Sequence, residues 1–192
     1  MKTIHVLAVA AWCLLAVTTT SAQKIDTAAI HRAWMTYMTP GPEHDRLAKM
    51  NGDWACEITM WKGPGAPPEK TTGTCRNTMV MGGRYQEGRV TSQMEGKPFE
   101  GLSTTAYDNS RRMFLNTWID NMGTGIMMLE GKWDPTISGI VYTGKCHDPI
   151  SHKMIDLRQV YKFQDDNNYT LEAYRVMNGK EVKDMEVKFK RQ

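Results

Sequence analysis

The sequence predicts an all-β fold, an antiparallel up-and-down barrel of about ten strands with N-terminal helices. From Asp53 onward, apolar residues alternate with polar ones in short segments, which is the period of a strand with one buried face. Each segment ends at a cluster of Gly, Pro, Asn or Asp, residues that favour tight turns. No helix-length pattern separates the segments, so parallel crossovers are excluded. A meander of this length leaves two unpaired edges, and closure into a barrel removes both; a two-sheet sandwich is the alternative.

The chain opens with the pattern of a secretory signal peptide over residues 1–22. Lys2 supplies the positive start, residues 4–17 are apolar, and Thr20, Ser21 and Ala22 form a small-residue cleavage site. The apolar run is shorter than the roughly 20 residues that a membrane-spanning helix needs. We therefore expect a secreted or periplasmic mature protein with no membrane span after signal cleavage.

Two helices are predicted before the first strand. Residues 23–38 form an amphipathic N-terminal helix. Its apolar face holds Ile30, Trp34, Tyr37 and Met38. A Pro/Gly turn ends this helix, and Pro42 suits the first turn of a second, short helix because its missing N–H would be unpaired there. Residues 39–192 are then a single barrel domain in which the short helix acts as a plug.

The strands follow one another with short connections. The first begins at Asp53, with Trp54, Cys56, Ile58 and Met60 on one face. The others are predicted over residues 71–81, 84–94, 99–107, 113–120, 125–133, 139–146, 154–164, 169–176 and 182–191.

Composition and charge exclude several classes of function. Charged residues are 23% of the chain with both signs interspersed, and the net charge falls from +3 to +2 when residues 1–22 are removed. A nucleic-acid-binding surface would cluster Lys and Arg on one face, so we expect no nucleic-acid partner. No CxxC pair or Cys/His cluster has zinc spacing, so we predict no structural zinc site. We also predict no cofactor, since residues 154–192 hold no histidine that could bind haem. His147, Asp148 and His152 share one connection, for which an ordinary turn is favoured over a metal site.

One end of the predicted barrel carries a specific pair of residues. Gly52, Asp53 and Trp54 stand directly after the short helix, and the last strand places Arg191 on the face that can cover Trp54. In this feature the chain resembles the calycins, the lipocalins and fatty-acid-binding proteins, in which a Gly-x-Trp motif is covered by an arginine of the last strand. The resemblance implies a calycin-like barrel with Gly52, Trp54 and Arg191 as structural residues.

A second resemblance covers the chain from about Met38 to its end. The motifs that carry it are spread along the whole domain: Pro40 to His44, Leu47, Gly52 with Trp54, Gly82 to Tyr85, Pro98 to Gly101, Tyr107 and Asp108, Thr117 to Asp120, Gly123, and Asp148 with Pro149. With these motifs the chain resembles a bacterial exported family known as domain of unknown function 1579. The resemblance implies an exported barrel and implies no activity.

His44 is the strongest candidate for catalytic chemistry. It lies on the short helix beside Glu43, and a neighbouring carboxylate would raise the pKa of the imidazole. An enzyme, either a hydrolase or an isomerase, would use His44 with Glu43 or Asp120. The alternative is a structural residue at the helix start that bonds the turn and fixes the plug to the barrel.

The candidate ligand-binding residues lie in two stretches of the chain. In the first, Trp118 would form a wall of the lumen, with Asp120 and Asn121 as polar contacts at the barrel mouth, although Asp and Asn are also ordinary turn residues. The second stretch contributes Met79, Met81, Arg84 and Tyr85. Methionine lines pockets that accept varied apolar molecules.

Cys56 and Cys75 are a candidate disulfide. A hairpin centred on Gly65 and Ala66 brings them opposite each other on the inward face of consecutive strands. Export would permit the bond, and Cys146 would then remain a free thiol.

The most direct functional hypothesis is an exported barrel that binds a small, mainly apolar ligand in its lumen. The enzyme built on His44 and a structural envelope protein whose N-terminal helix docks on a partner are the alternatives.

Overall fold

The structure, a computed structural model, describes residues 26–63, 65–177 and 179–192. The predicted signal peptide and the first residues of the predicted N-terminal helix lie outside the described residues. Helix α1 spans Thr27–Met38 and helix α2 spans Pro42–Ala48. Asp26 caps α1, since its carboxylate accepts a hydrogen bond from the Ala29 amide.

Ten antiparallel strands make up the rest of the described chain. They are β1 Gly52–Met60, β2 Glu69–Val80, β3 Tyr85–Met94, β4 Lys97–Asp108, β5 Met113–Asp120, β6 Met127–Asp134, β7 Gly139–Asp148, β8 Lys153–Asp165, β9 Asn168–Met177 and β10 Lys180–Arg191. Each strand pairs with its neighbours in sequence, and β10 pairs with β1 to close a barrel. The predicted all-β barrel is confirmed, and the two-sheet sandwich is excluded.

The two ends of the barrel differ in how they are covered. We call the end where β1 begins the plug end, because α2 precedes β1 there. The opposite end, where β1 finishes at Met60 and β5 finishes at Asp120, we call the mouth. Leu47 of α2 is fully buried, and the Gln86 side chain donates a 2.5 Å hydrogen bond to its carbonyl oxygen. Arg46 extends the plug over the Trp133 ring, 3.6 Å from its centroid.

The core consists of two apolar clusters on opposite walls of the lumen. The first lies on β1, β2, β9 and β10: Trp54, Cys56, Ile58, Cys75, Tyr169, Leu171, Val187 and Phe189. The second joins the plug to β5, β6 and β7: Leu47, Met50, Phe114, Leu129, Ile140 and Tyr142. Tyr161 and Phe163 of β8 pack against both. Alternate residues of β1 are buried, as predicted from its period of two.

Helix α1 lies outside this core. None of its residues is buried, and its apolar side chains are about half exposed. Its contacts with the barrel are made by backbone carbonyls, which accept hydrogen bonds from Asn109 and Arg84. Neither described helix is long and apolar enough to cross a membrane.

Candidate functional site

The mouth half of the lumen is lined by apolar side chains that are not fully covered. Five of them pack against the core clusters and remain partly exposed: Met60, Val90, Met127, Leu157 and Met185. They come from five different strands, so they surround the space. At the plug end α2 covers the lumen, whereas no helix of the described residues covers the mouth. The mouth half is therefore the apolar part of the interior that is accessible from outside.

Gln159 adds a polar group to this lining. Its strand neighbours are Tyr142 and Ala173, which are buried, so its side chain points into the barrel with theirs. Gln159 is 8% exposed. Its amide makes no hydrogen bond to a side chain or to the backbone of the residues that the structure describes. Among the described residues, the fully buried side-chain atom without a hydrogen-bond partner is Arg175 Nε and not an atom of Gln159. The Gln159 amide therefore keeps some contact with open space and is a polar group available to a bound molecule or to water.

Other polar residues of the interior are already paired. Asn77 donates to the Tyr169 hydroxyl, at 3.2 Å, and accepts from the Cys75 thiol, at 3.3 Å. Asn116 donates to the Thr105 hydroxyl at 2.9 Å. Asn77 and Asn116 thus bond to neighbouring side chains within the wall, whereas Gln159 does not.

Trp118 lies near the mouth end of β5, on the inward register. Its ring covers Gly101 of the neighbouring strand so closely that a Cβ added there would be 2.2 Å from the indole. The ring stacks at 6.3 Å on Phe99, which is buried. Its indole N–H donates a 2.7 Å hydrogen bond to Asp120. The contacts with Gly101 and Phe99 of β4 thus hold the Trp118 ring in place as part of the lumen wall.

The polar contacts predicted beside Trp118 are engaged in the turn. One carboxylate oxygen of Asp120 accepts from the backbone amides of Met122 and Gly123, and the other accepts from Trp118. The Asn121 side chain accepts from the Glu100 amide and donates to the Pro98 carbonyl. These bonds match the turn interpretation of both residues, and the ligand-contact role stays a prediction.

The second predicted stretch lies at the opposite end of the barrel from Trp118. Met81 and Tyr85 are exposed around the β2–β3 turn, and Met79 packs under the plug. Arg84 donates to the carbonyl oxygens of Met81 and Met38, so it connects this turn to α1. The two stretches therefore do not form one site.

His44 serves as part of the plug. Its Nδ1 accepts a 3.1 Å hydrogen bond from the Gly41 amide, which is a capping-box arrangement at the start of α2. His44 is buried, and desolvation lowers its pKa below the ordinary value of 6.5. The expected rise in the His44 pKa does not occur, because burial outweighs the raising effects of the Gly41 and Tyr107 backbone bonds and of the Asp45 carboxylate. The Glu43 carboxylate instead bonds Arg46.

His44 and Asp120 cannot act together. The His44 ring contacts Tyr107, whose partner across the sheet is Phe114. Asp120 lies six residues further along β5, roughly 20 Å away at 3.3 Å per residue. The proposed pairing of His44 with Asp120 is therefore wrong.

The predicted register of the first hairpin is also wrong, by two residues. Cys75 lies opposite Trp54, and Cys56 lies opposite Gly73. Both thiols are free and buried, and burial raises the pKa of each to about 12. The hairpin is centred one residue earlier than expected, and the disulfide that depended on the expected register is not present.

A charged group that the sequence analysis missed lies in the mouth. Arg175 of β9 shares the inward register of Ala173, and its Nε is 2.6 Å from the Asp184 carboxylate. Asp184 is an extra residue at a bulge between Lys183 and Met185. Cys146 lies near this pair, as the influence of Arg175 and Asp184 on its pKa indicates. The bulge could not be read from alternation, because it interrupts the period of two.

The histidine connection does not form a metal site in the described chain. The rings of His147 and His152 are 6.1 Å apart, and Asp148 instead accepts hydrogen bonds from Ser151. No group of three or more His, Cys, Asp or Glu side chains among the described residues could hold a metal ion.

Two surface grooves are prominent, and both lie outside the lumen. One, of about 550 Å³, lies between α1 and the β4–β5 turn and includes Tyr107, Asn109 and Arg112. The other, of about 340 Å³, runs over the outer faces of β7 and β8 beside Glu181. Since neither groove opens into the lumen, a molecule could enter the lumen only if the side chains that line it move aside. Three of the five partly exposed lining residues are methionines, whose side chains adapt easily.

A family model described as "Protein of unknown function (DUF1579)" matches residues 39–191. No curated protein matches the chain. Among solved structures, a de novo designed fluorescence-activating β-barrel covers 77% of this chain and 98% of its own, with 12% identity and a TM-score of 0.44. A redesigned β-barrel covers 76% of this chain and 94% of its own, with 8% identity and a TM-score of 0.39.

Proposed function

We propose that this chain, which belongs to the DUF1579 family of proteins of unknown function, binds a small, mainly apolar molecule in the mouth half of its barrel. The observation that carries the proposal is Gln159, a side chain that is 8% exposed, points into the lumen and has no partner among the described residues. Around it, apolar side chains of five strands stay partly exposed although they face inward. Apolar walls with one free polar group are the usual composition of a small-molecule site.

The mature protein would act outside the cytoplasm. This part of the proposal comes from the signal-peptide pattern of residues 1–22. An apolar metabolite outside the cytoplasm is poorly soluble in water, and a barrel that shields it would serve as a carrier or a scavenger.

The catalytic alternative has less support. The imidazole of His44 is bonded to Gly41, and burial lowers its pKa. Glu43 is paired with Arg46, and both side chains are partly buried. No specific observation therefore favours an enzyme over a binding protein.

Ala173 provides a direct test of lumen binding. It is 9% exposed and lies between Gln159 and Met185 on neighbouring strands, so Ala173→Phe would place a ring in the proposed site. Binding is measured as the fluorescence increase of Nile red, a neutral apolar dye. Ala55→Phe is the matched control, because Ala55 lies on the outer face of β1 between two buried, inward residues.

The wild-type protein is expected to bind the dye, Ala55→Phe to bind it equally, and Ala173→Phe to lose it. If the lumen beside Ala173 is open, as the proposal requires, the melting temperature of Ala173→Phe should stay near the wild-type value. If that space were already packed, the extra atoms would destabilise the fold by about 1–3 kcal/mol. Unchanged dye binding by Ala173→Phe, or no binding by the wild type, would refute the proposal.

A further inference from the structure

The charges around the mouth constrain what can enter the lumen. The Arg175 side chain projects inward from β9. Its Nε atom is 2.6 Å from a carboxylate oxygen of Asp184, which neutralises the guanidinium charge. The pair is partly buried, with side-chain exposures of 35% and 22%. Because Asp184 is the extra residue of a bulge, it can turn toward Arg175 while its neighbours keep their register. The bulge thus supplies a carboxylate where alternation alone would place none.

Further carboxylates share the inward register near the mouth. Asp148 follows Cys146 on β7, and Asp120 follows Trp118 on β5. Rim lysines are present at the strand ends, where Lys97 and Lys153 are exposed to water and their charge is screened. The inward Arg175 guanidinium at the mouth therefore already has a counterion in Asp184, and additional negative charge would meet other carboxylates.

Gln159 lies deeper than this pair. Arg175 is opposite Leu157, and Gln159 is two residues further into the barrel, which is about 7 Å along the strand. A molecule that passes the Arg175–Asp184 pair would reach a neutral amide with both donor and acceptor atoms. A carboxylate at that depth would lose its hydration without gaining an opposite charge, which is strongly unfavourable.

We infer that the lumen ligand is electrically neutral, an apolar molecule with one hydrogen-bonding group such as an ester, amide or alcohol, and not a fatty acid anion. This inference rests on the proposed function of lumen binding. A carboxylate at Arg175 would have to share the guanidinium with Asp184, whose oxygen is 2.6 Å from Nε, and the two anions would repel each other at close range. A neutral polar group meets no such barrier and satisfies Gln159.

The test is a matched series of ligands with one saturated chain: the fatty acid, its methyl ester, the primary alcohol and the alkane. Each is measured at neutral pH by displacement of Nile red from the full mature protein. We expect the ester and the alcohol to bind about tenfold or more tightly than the fatty acid anion, a difference set by one unpaired buried group. We expect the alkane to fall below the ester, since it leaves Gln159 unsatisfied.

Two variants locate the effect. Gln159→Leu should bind the ester and the alkane equally, whereas Gln93→Leu, an exposed position on β3, should keep the wild-type order. Asp184→Asn removes the counterion of Arg175, so the fatty acid anion should gain affinity and overtake the ester. A melting temperature close to that of the wild type confirms that each variant is folded. The order of ligand affinities measured on the wild-type protein tests the inference even if a variant does not fold.

The outcomes separate the two proposals. Binding of all four ligands with the fatty acid anion tightest in the wild type would overturn the neutral class and leave lumen binding in place. Failure of the wild type to bind the dye or any ligand would overturn lumen binding and the neutral class together. An ester preference that survives Gln159→Leu would also overturn the assignment of the polar contact.

Discussion

The guanidinium carbon of Arg191 lies 4.2 Å from the centroid of the Trp54 ring, and the two residues face each other across the last and first strands. The guanidinium also donates hydrogen bonds to the carbonyl oxygens of Lys49, Asn51 and Asp166. It thereby joins the end of α2, the start of β1 and the β8–β9 turn. The indole N–H of Trp54 donates to Met50 and completes the seal of the plug end.

Arg191→Lys should lower the free energy of unfolding by about 1–3 kcal/mol, because an ammonium on a flexible stem cannot reproduce the planar set of three bonds and the ring contact. Urea unfolding measures the change. Arg89→Lys is the control, since Arg89 is exposed and its guanidinium is 3.7 Å from Glu87. Equal midpoints for Arg191→Lys and the wild type would show that the ring contact does not stabilise the closed end.

The architecture was accessible from the sequence because it depends on local rules. Turn residues and a period of two located all ten strands, with β5 matching at both ends. Alternation placed Arg191 on the inward face of the last strand, and the resemblance to the calycins implied that it covers Trp54, its partner on the first strand. The period of two shows on which face of a strand each side chain lies. Barrel closure could be predicted from these faces and from the number of strands.

The candidate site was less accessible, because it depends on depth and on partners. Asp120 has the residue type and position of a ligand contact, yet its oxygens are bound to the turn and to Trp118. Gln159 looks like any polar residue in a strand until its burial is known. The hairpin register failed by two residues because the length of a Pro/Gly-rich loop does not define where its turn is centred.

The three cysteines of the described chain should differ sharply in reactivity. Cys56 and Cys75 are buried with pKa values raised to about 12, so their thiolates are scarce at neutral pH. Cys146 is partly exposed near the mouth, where burial raises its pKa as well. Under non-reducing conditions, mass spectrometry after iodoacetamide should show slow labelling of Cys146 alone in the native protein.

Three labels should appear once urea unfolds the same unreduced sample, because both core thiols are free in the structure. Cys146→Ser is the control and should remove the native label. Recovery of only one label after unfolding would mean that Cys56 and Cys75 are bridged, in conflict with the register of β1 and β2.

The stability of the plug should depend on pH through His44. Its pKa is lowered by burial below 6.5, so the unfolded chain binds the proton more readily than the folded chain. Stability contributed by the neutral imidazole is therefore complete above about pH 6.5 and falls as the pH drops below it. Urea unfolding of the wild type at a series of pH values from neutral to mildly acidic measures this slope.

His44→Gln should flatten that slope, because glutamine does not titrate and can still accept a hydrogen bond from the Gly41 amide at this helix position. His31→Gln is the control, since His31 is exposed on α1. An identical pH dependence for wild type and His44→Gln would show that other groups account for the acid sensitivity.

Removal of α1 should leave the barrel intact. The helix buries no side chain, and its bonds with Asn109 and Arg84 are exposed, so a chain beginning at Thr39 should unfold within about 1 kcal/mol of the mature protein. Leu47→Ala gives the scale for comparison: Leu47 is 0% exposed in the plug, and its truncation should cost about 2–5 kcal/mol. The shortened chain also loses the half-exposed Trp34 and Tyr37. Its elution in size-exclusion chromatography therefore tests the alternative of a helix that docks on a partner copy. Unchanged elution and unchanged Nile red binding would place function in the barrel. A loss of stability close to that of Leu47→Ala would instead mean that α1 is part of the folded unit.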